Sequence, residues 1–153
     1  MITGGNNTML GAEASASSNN VYNEFTLGNS SINNLRCADS TISTLSDARD
    51  KTNIQDVPLG LGFINQLRPV SFDWETRDGS KEGRKDFGFI AQELDVVSND
   101  SGYKDYLRLV HKDNPDKLEA DPLKTYPVLI KAVQELSEMV EQLKAKVATL
   151  ESA

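Results

Sequence analysis

Residues 126–150 read YPVLIKAVQELSEMVEQLKAKVATL and contain the clearest periodicity in the chain. Apolar side chains recur there at alternating spacings of four and three residues, with Val at the a positions and Leu at the d positions of a heptad. We call these seven residues the a/d stripe: Leu129, Val133, Leu136, Val140, Leu143, Val147 and Leu150. A helix of roughly 24 residues would be ~36 Å long at ~1.5 Å per residue, which is too long and one-sided for an ordinary domain helix. The pattern therefore predicts a coiled coil within residues 126–153.

The side chains beside the a/d stripe bear on the number of helices that associate. Val at a with Leu at d favours two strands in simple parallel coiled coils. Ile130 at an e position, with Ala132 and Met139 at g positions, widens the apolar face, and a wider face favours a trimer. A single helix packed on its own domain is disfavoured, because polar residues cover the rest of the helix. We expect a homotrimer whose interface is the a/d stripe.

Residues 46–125 have the mixed patterns of a small α+β body. The segment around Pro58 predicts a short helix that begins near this proline and ends by Leu67. Alternation at period two predicts a half-buried strand over residues 69–74. Further features are expected downstream: a turn or hairpin tip at 76–85, a strand at 87–91, a turn at 92–94, a strand within 103–110 and a polar hairpin at 112–117.

Residues 1–45 are rich in Asn, Ser, Thr and Gly and have no helical periodicity. The segment 31–39 is echoed by residues 41–49, and Thr8–Gly11 is echoed by Phe25–Gly28. Short strands of this kind bury too little apolar surface alone and need copies of themselves. We expect a β-rich shaft wrapped from several chains; the alternative is a disordered linker. The chain is thus expected to comprise three parts: 1–45, 46–125 and 126–153.

Composition limits the classes of function. The net charge of −7, from 23 acidic and 16 basic residues, disfavours nucleic acid and anionic membrane surfaces as partners. No apolar run approaches the ~20 residues of a membrane span, and the N-terminus has no signal-peptide pattern, so we expect a soluble, non-exported chain or a fragment of a longer one. Cys37 is the only cysteine and His111 the only histidine, which excludes an intrachain disulfide and a Cys/His zinc site. No metal site and no cofactor are expected.

The segment Ser46-Asp47-Ala48-Arg49-Asp50-Lys51 joins the repetitive part to the globular part. Because His111 is interpreted as a solvated or locally bonded histidine, the candidate base for the Ser46 hydroxyl is the amine of Lys51. A lysine amine serves as a base when burial or a neighbouring cation lowers its pKa from the ordinary ~10.4. Side chains five residues apart lie ~140° from each other on a helix and on opposite faces of a strand. The two groups can therefore meet only across a turn or between chains.

A purely structural interpretation of this segment is also open. Ser46 is a favourable N-cap residue, and Asp47 suits the first turn of a helix. Asp47 and Lys51 would then form an i,i+4 ion pair. In this interpretation Ser46 has no chemical role.

Four segments in order resemble the peptidase S74 family, the intramolecular chaperone domains of phage endosialidases, tail fibres, tailspikes and neck appendages. They are residues 46–54, SDARDKTNI; 67–74, LRPVSFDW; 87–94, FGFIAQEL; and 126–136, YPVLIKAVQEL. The resemblance implies a homotrimer, an α+β body that ends in a triple helical bundle, and a fibre or tailspike segment upstream in the same chain. It also implies autoproteolysis by a Ser-Lys dyad that corresponds to Ser46 and Lys51, during assembly in the host cytoplasm. Residues 97–123 match no family pattern.

The bond that would be cut lies within Leu45-Ser46-Asp47. Attack of the Ser46 hydroxyl on the preceding carbonyl passes through a five-membered ring and cuts before Ser46. Attack on its own carbonyl would need a four-membered ring, although a nucleophile from a neighbouring chain would remove that argument. The alternative function is a permanent, non-catalytic trimeric fibre tip or receptor-binding knob.

Overall fold

The computed structural model describes residues 4–39 and 41–152, so residues 1–3, 40 and 153 of the expected shaft and C-terminal helix lie outside the described residues. The chain is a mixed α+β protein that falls into two compact units. The first unit comprises Met1–Ile54, Ser71–Phe87 and Lys112–Lys117, and the second comprises Gln55–Val70, Gly88–His111 and Leu118–Ala153.

The strands are β1 Thr8–Leu10, β2 Phe25–Leu27, β3 Val70–Asp73, β4 Lys85–Gly88, β5 Val110–His111 and β6 Glu119–Ala120. The helices are α1 Leu61–Ile64, α2 Ala91–Asp100, α3 Lys104–Leu107 and α4 Tyr126–Glu151.

In the first unit the two echoed tetrapeptides stack on each other within one chain. Strands β1 and β2 pair in parallel with Thr8 opposite Phe25 and Leu10 opposite Leu27, an offset of 17 residues. Asn6 and Asn23, at the same offset, both have positive φ, 56° and 60°, and the Asn6 side chain donates to Asn23 Oδ1 at 2.6 Å. Asparagine tolerates this left-handed conformation better than most residues. The sequence repeat therefore corresponds to a repeat in the structure, and its two copies pair with each other within one chain.

The second pair of echoed segments is irregular up to Asp47, where a short 3₁₀ turn follows at Ala48–Asp50. Over residues 31–39 and 41–47 the described chain forms neither helix nor strand. Helix is likewise absent from residues 4–39, as the sequence predicted. The predicted β-character of the N-terminal part thus corresponds to β1 and β2 and to one isolated bridge between Gly5 and Tyr22.

A carboxylate organises the loop between β1 and β2. Glu24 accepts hydrogen bonds from the Ser17 N–H at 2.8 Å, the Ser17 hydroxyl at 2.5 Å and the Thr26 hydroxyl at 2.7 Å. The Glu24 N–H donates to Asn7 Oδ1 at 2.9 Å. The Ser17 side chain, with lesser help from Thr26 and the Ser17 N–H, lowers the pKa of Glu24 below 4.5, against the opposing effect of burial. A half-buried carboxylate with this many donors is held in its ionised form.

Strands β3 and β4 pair as a two-stranded sheet, and β3 confirms the predicted alternation. The Phe72 and Trp74 rings meet edge to face at 5.0 Å, and Lys81 Nζ lies 4.8 Å from the Trp74 ring centre. The residues between the strands form the predicted turn. The strand expected at 87–91 is displaced: β4 spans Lys85–Gly88, and α2 begins at Ala91.

Two predictions about the middle of the chain were wrong. Residues 92–94 are not a turn but part of the ten-residue helix α2, because Leu94 and Val97 pack against the core at helical spacing. Within the strand expected at 103–110, Lys104–Leu107 forms the one-turn helix α3 instead, which ends at Arg108 in the left-handed conformation, φ 43°. Strand follows only in β5, which pairs with β6 across the predicted polar hairpin.

The core of the second unit consists of buried side chains from four helices and the residue before β5: Phe63, Leu94, Leu107, Leu109 and Val128. Burying each such side chain contributes about 1.5–3 kcal/mol. Helix α1 begins at Leu61 rather than near Pro58, and Gly60 is its N-cap residue. The Leu61 N–H, which has no partner within its own helix, donates a hydrogen bond to the Glu135 carboxylate of α4 at 2.7 Å. This contact stabilises a helix start at Leu61.

Helix α4 has 26 residues, confirming the predicted long C-terminal helix, and is ~39 Å long at ~1.5 Å per residue. It packs on α1, with Val128 in the same buried cluster as Phe63 and with Glu135 bonded to the Leu61 N–H, and Ala132 is also buried. These residues recur at i, i+4 and i+7 and form one face. The predicted contribution of Ala132 to the interchain face was therefore wrong, whereas Ile130 and Met139 remain about half exposed. Among the described residues, no helix combines the length and apolarity that crossing a membrane requires.

Candidate active site

A short turn connects the two residues predicted to react. Asp47 is extended, at φ −66° and ψ 135°, and precedes a single 3₁₀ turn, Ala48–Asp50. The Asp50 N–H donates to the Asp47 carbonyl and the Lys51 N–H donates to the Ala48 carbonyl, each at 3.2 Å. Lys51 then returns to extended backbone at φ −123° and ψ 146°. This tight reversal allows side chains five residues apart to meet, which neither a regular helix nor a strand does.

The turn brings Lys51 and Ser46 into direct contact. Lys51 Nζ donates a hydrogen bond to Ser46 Oγ at 2.8 Å. This separation lies within the range required for proton transfer between a nucleophile and its base. Both residues are exposed in the single chain. When the amine has lost one proton, its lone pair can accept the hydroxyl proton along the same contact.

The Asp47 carboxylate is occupied by another partner. It accepts a hydrogen bond from the Arg49 N–H at 2.9 Å and so caps the turn. The Arg49 guanidinium binds the same carboxylate, with Nη2 2.6 Å from Oδ2 and Nε 3.1 Å from Oδ1. The Arg49 side chain, then its backbone N–H, lowers the pKa of Asp47, and the Asp47 side chain raises the pKa of Arg49.

These contacts differ from the structural interpretation in both particulars. The cap is Asp47 rather than Ser46, and the ion-pair partner of Asp47 is Arg49 rather than Lys51. Sequence reasoning missed this use of Arg49. The sequence does contain a signal for it. An Asp side chain commonly accepts a hydrogen bond from the backbone N–H two residues later in a turn, and here that residue is an arginine.

The other predicted residues of the cleavage segment are accessible. Leu45, which precedes Ser46, is 81% exposed, and Asp47 is half-buried. His111 lies in β5 and is exposed, and Cys37 is an exposed free thiol. Over residues 4–39 and 41–152 there is no cluster of three or more His, Cys, Asp or Glu side chains that could hold a metal ion.

The predicted trimer interface is a continuous exposed stripe on α4. The seven residues of the a/d stripe are between 45% and 77% exposed. The face that packs on α1 is a different one, so the chain leaves the a/d stripe without a partner of its own.

An open apolar groove of about 470 Å³ lies in the second unit. Leu67, Phe89 and Val97 contribute to its lining, together with Arg68 and Glu93. Arg68 binds Glu93 bidentately, with Nε donating to Oε2 at 2.9 Å and Nη2 to Oε1. Glu93 lies in the first turn of α2, so this bidentate pair links Arg68 to the beginning of that helix. Neither Ser46 nor Lys51 lines the groove.

Comparison with known families identifies the domain that contains this turn. Residues 46–103 match the family model Peptidase_S74, described as chaperone of endosialidase. Over this segment the chain is similar to the Peptidase_S74 family. The match begins at Ser46, includes Lys51 and extends through α1, β3, β4 and α2, while α4 lies outside it. Comparisons with curated proteins and with solved structures gave no match.

Proposed function

We propose that this chain is a self-cleaving intramolecular chaperone that trimerises, assists folding of a phage tail fibre or tailspike, and is then released by Ser-Lys autoproteolysis near Ser46. The contact that carries the proposal is the 2.8 Å hydrogen bond between Lys51 Nζ and Ser46 Oγ. The family match over residues 46–103 supports the chaperone class and begins at the serine itself. The three-part division at residues 45 and 125 is part of the same proposal.

The chemistry needs only groups of the turn and one water. Neutral Lys51 accepts the Ser46 hydroxyl proton while Oγ attacks the carbonyl carbon of Leu45. The Leu45–Ser46 amide bond breaks, its nitrogen takes the proton and becomes the Ser46 amine, and the acyl group is left as an ester on Oγ. Water then hydrolyses the ester, which frees the Leu45 carboxylate and restores the hydroxyl. Donors to the developing oxyanion would lower the barrier further.

Exposure of the dyad in one chain connects cleavage to assembly. A lysine works as a base at neutral pH when its surroundings disfavour the charged amine. Ser46 and Lys51 are both exposed in the single chain. Packing of three chains would exclude water from the turn and would thereby make cleavage a consequence of assembly.

The exposed a/d stripe supports association through α4. Full burial of a Leu or Val side chain contributes about 1.5–3 kcal/mol, so burying the exposed half of seven such side chains contributes several kcal/mol per chain. The spacing of four and three is that of a left-handed coiled coil. We infer three helices, with Ile130 and Met139 flanking the a/d stripe, in a homotrimer.

The chaperone role follows from the contrast between the two ends of the chain. The α4 helix is local and forms early, whereas β-shafts paired over long sequence separations form slowly. Joining three chains at α4 raises the effective concentration of the N-terminal segments. Cleavage then makes the product kinetically stable, since the removed part cannot assist refolding. We expect assembly in the host cytoplasm, with residues 1–45 retained in the virion tail and the remainder released.

The direct test is the mass of the purified polypeptide in denaturant. Wild type should split into residues 1–45 and 46–153 or, if the cut follows Ser46, 1–46 and 47–153. Ser46→Ala and Lys51→Ala should remain full-length. Lys51→Arg should also remain full-length, because a guanidinium stays protonated at neutral pH.

Matched controls separate the dyad from general disturbance. Ser43→Ala and Lys117→Ala change exposed residues of the same types and should leave cleavage intact. Cleavage that persists in Ser46→Ala, or that needs an added protease, would remove the autoproteolytic part of the proposal. An uncut wild-type trimer would instead favour the permanent fibre tip or receptor-binding knob. N-terminal sequencing of the released piece decides between Ser46 and Asp47 as its first residue.

A further inference from the structure

Lys51 lies four residues after a carboxylate that could hold it in the charged form. An acidic residue at i and a lysine at i+4 commonly pair, and such a pair stabilises the ammonium. In this chain Asp47 is the acidic residue four positions before Lys51, and Asp50 directly precedes Lys51. A base for Ser46 must avoid this pairing, because an ammonium has no lone pair to accept a proton.

The structure directs the Asp47 carboxylate to a different cation. Arg49 contributes three donors to it: the backbone N–H at 2.9 Å, Nε at 3.1 and 3.2 Å from the two oxygens, and Nη2 at 2.6 Å. The guanidinium fork is more selective for a carboxylate than a single ammonium is. Lys51 is thereby left to Ser46 Oγ.

We infer that Arg49 is a positioning residue of the dyad, which keeps the Asp47 carboxylate away from the Lys51 amine and so keeps that amine available to Ser46. The inference rests on the proposed function, since it assigns a role in the same cleavage. Removing the guanidinium frees Asp47 to pair with Lys51, which then loses its proton only at higher pH.

The test is the pH dependence of the cleavage rate in four proteins: wild type, Arg49→Gln, Asp47→Asn and Asp47→Asn/Arg49→Gln. Asparagine retains the ability to cap the turn but has no charge. Arg49→Gln alone should displace the rate profile toward alkaline pH and slow cleavage two- to tenfold at neutral pH. In the Asp47→Asn background the same change should displace the profile much less, because only the weak repulsion between two exposed cations is then lost. Asp50 is common to all four proteins and cancels in the comparison.

A purely structural role gives a different result. If Arg49 only stiffened the turn, its loss would slow cleavage by the same factor at every pH and in both backgrounds, and the inference would be overturned. Arg49→Lys should recover part of the wild-type profile, because an ammonium partly neutralises Asp47 without the bidentate contact.

A second measurement does not depend on cleavage. In full-length Ser46→Ala protein, nitrogen-15 NMR of the Lys51 amine reports its fraction protonated against pH. Arg49→Gln should extend the protonated range to higher pH, and Asp47→Asn/Arg49→Gln should not. An unchanged titration in Arg49→Gln contradicts the positioning role even if cleavage occurs. If the Lys51 titration shifts as predicted but the wild-type protein does not cleave, the result supports the positioning role of Arg49 and contradicts the proposed function.

Discussion

The Glu135 carboxylate of α4 accepts a hydrogen bond from the Leu61 N–H at the start of α1, at 2.7 Å across 74 positions of sequence. A four-residue helix has more unsatisfied backbone donors than it has internal hydrogen bonds. Its first N–H is therefore satisfied from the long helix against which it packs. Gly60 leaves the space for this contact, because a Cβ there would collide with both Glu135 carboxylate oxygens.

Gly60→Ala should consequently act through Glu135. We expect the added methyl group to displace the carboxylate and to reduce the free energy of unfolding by about 1 kcal/mol, as does the loss of a helix cap. Glu135→Ala should cost a similar amount, and the double variant little more than either single one, because the two changes remove the same contact. Urea unfolding measures all three. Gly62→Ala is the control, since a Cβ there meets nothing within 4 Å and alanine favours helix; a loss of stability in that variant would contradict the cap explanation.

Association through α4 is testable by charge at the a/d stripe. Leu136→Asp/Leu143→Asp would bury carboxylates at two d positions and should cost several kcal/mol per site in the assembled state. Sedimentation equilibrium should then detect monomer. Gln134→Asp/Ala145→Asp introduces the same charges at exposed positions outside the a/d stripe and should leave the trimer intact. A stable trimer in the d-position variant would exclude α4 as the association element.

Order of assembly provides a third test. A polypeptide that ends at Asp50 retains β1, β2 and the turn but lacks α4, so its few apolar side chains give little drive to associate. We expect it to stay monomeric when synthesised alone. Residues 1–45 released from an assembled trimer should stay trimeric, because the barrier to separation is kinetic. A protease-resistant trimer of residues 1–45 synthesised alone would contradict the chaperone role.

Acid should loosen the β1–β2 unit through Glu24. Its folded-state pKa lies below 4.5 because Ser17 and Thr26 donate to the carboxylate. A depressed folded-state pKa contributes stability that is present above the unfolded-state value and is lost as pH falls through the folded-state value. We expect protection of the Ser17 amide against hydrogen exchange, relative to the intrinsic exchange rate, to fall as the pH drops through the depressed folded-state pKa of Glu24.

Glu24→Gln should remove this pH dependence and reduce local stability by roughly 1–2 kcal/mol, since hydrogen bonds to charged groups contribute more than neutral ones. Glu82→Gln is the matched control, because Glu82 is exposed on the turn between β3 and β4. Identical acid profiles in wild type and Glu24→Gln would assign the acid sensitivity to other carboxylates.

Local spacing alone was sufficient to predict α4 and β3. Alternation of four and three residues defines one apolar side of a helix, and alternation at period two defines one side of a strand, whatever lies around them. The same reasoning failed at α2 and α3, where apolar runs are short. The run Phe87–Ala91 predicted a strand, but the strand ends at Gly88 and helix α2 begins at Ala91, with Leu94 buried in the core.

The sequence by itself determined which chemical groups are available in the turn: a serine hydroxyl, a lysine amine, two carboxylates and a guanidinium. Only the tertiary structure decided their pairing. A single 3₁₀ turn brings Lys51 to Ser46, and Arg49 rather than Lys51 takes the Asp47 carboxylate. Likewise only packing decided that Ala132 is buried within the chain. The physical reason is the same in both cases: spacing along the chain fixes which side chains share a face, whereas contacts depend on where the backbone turns and on which partners compete for each group.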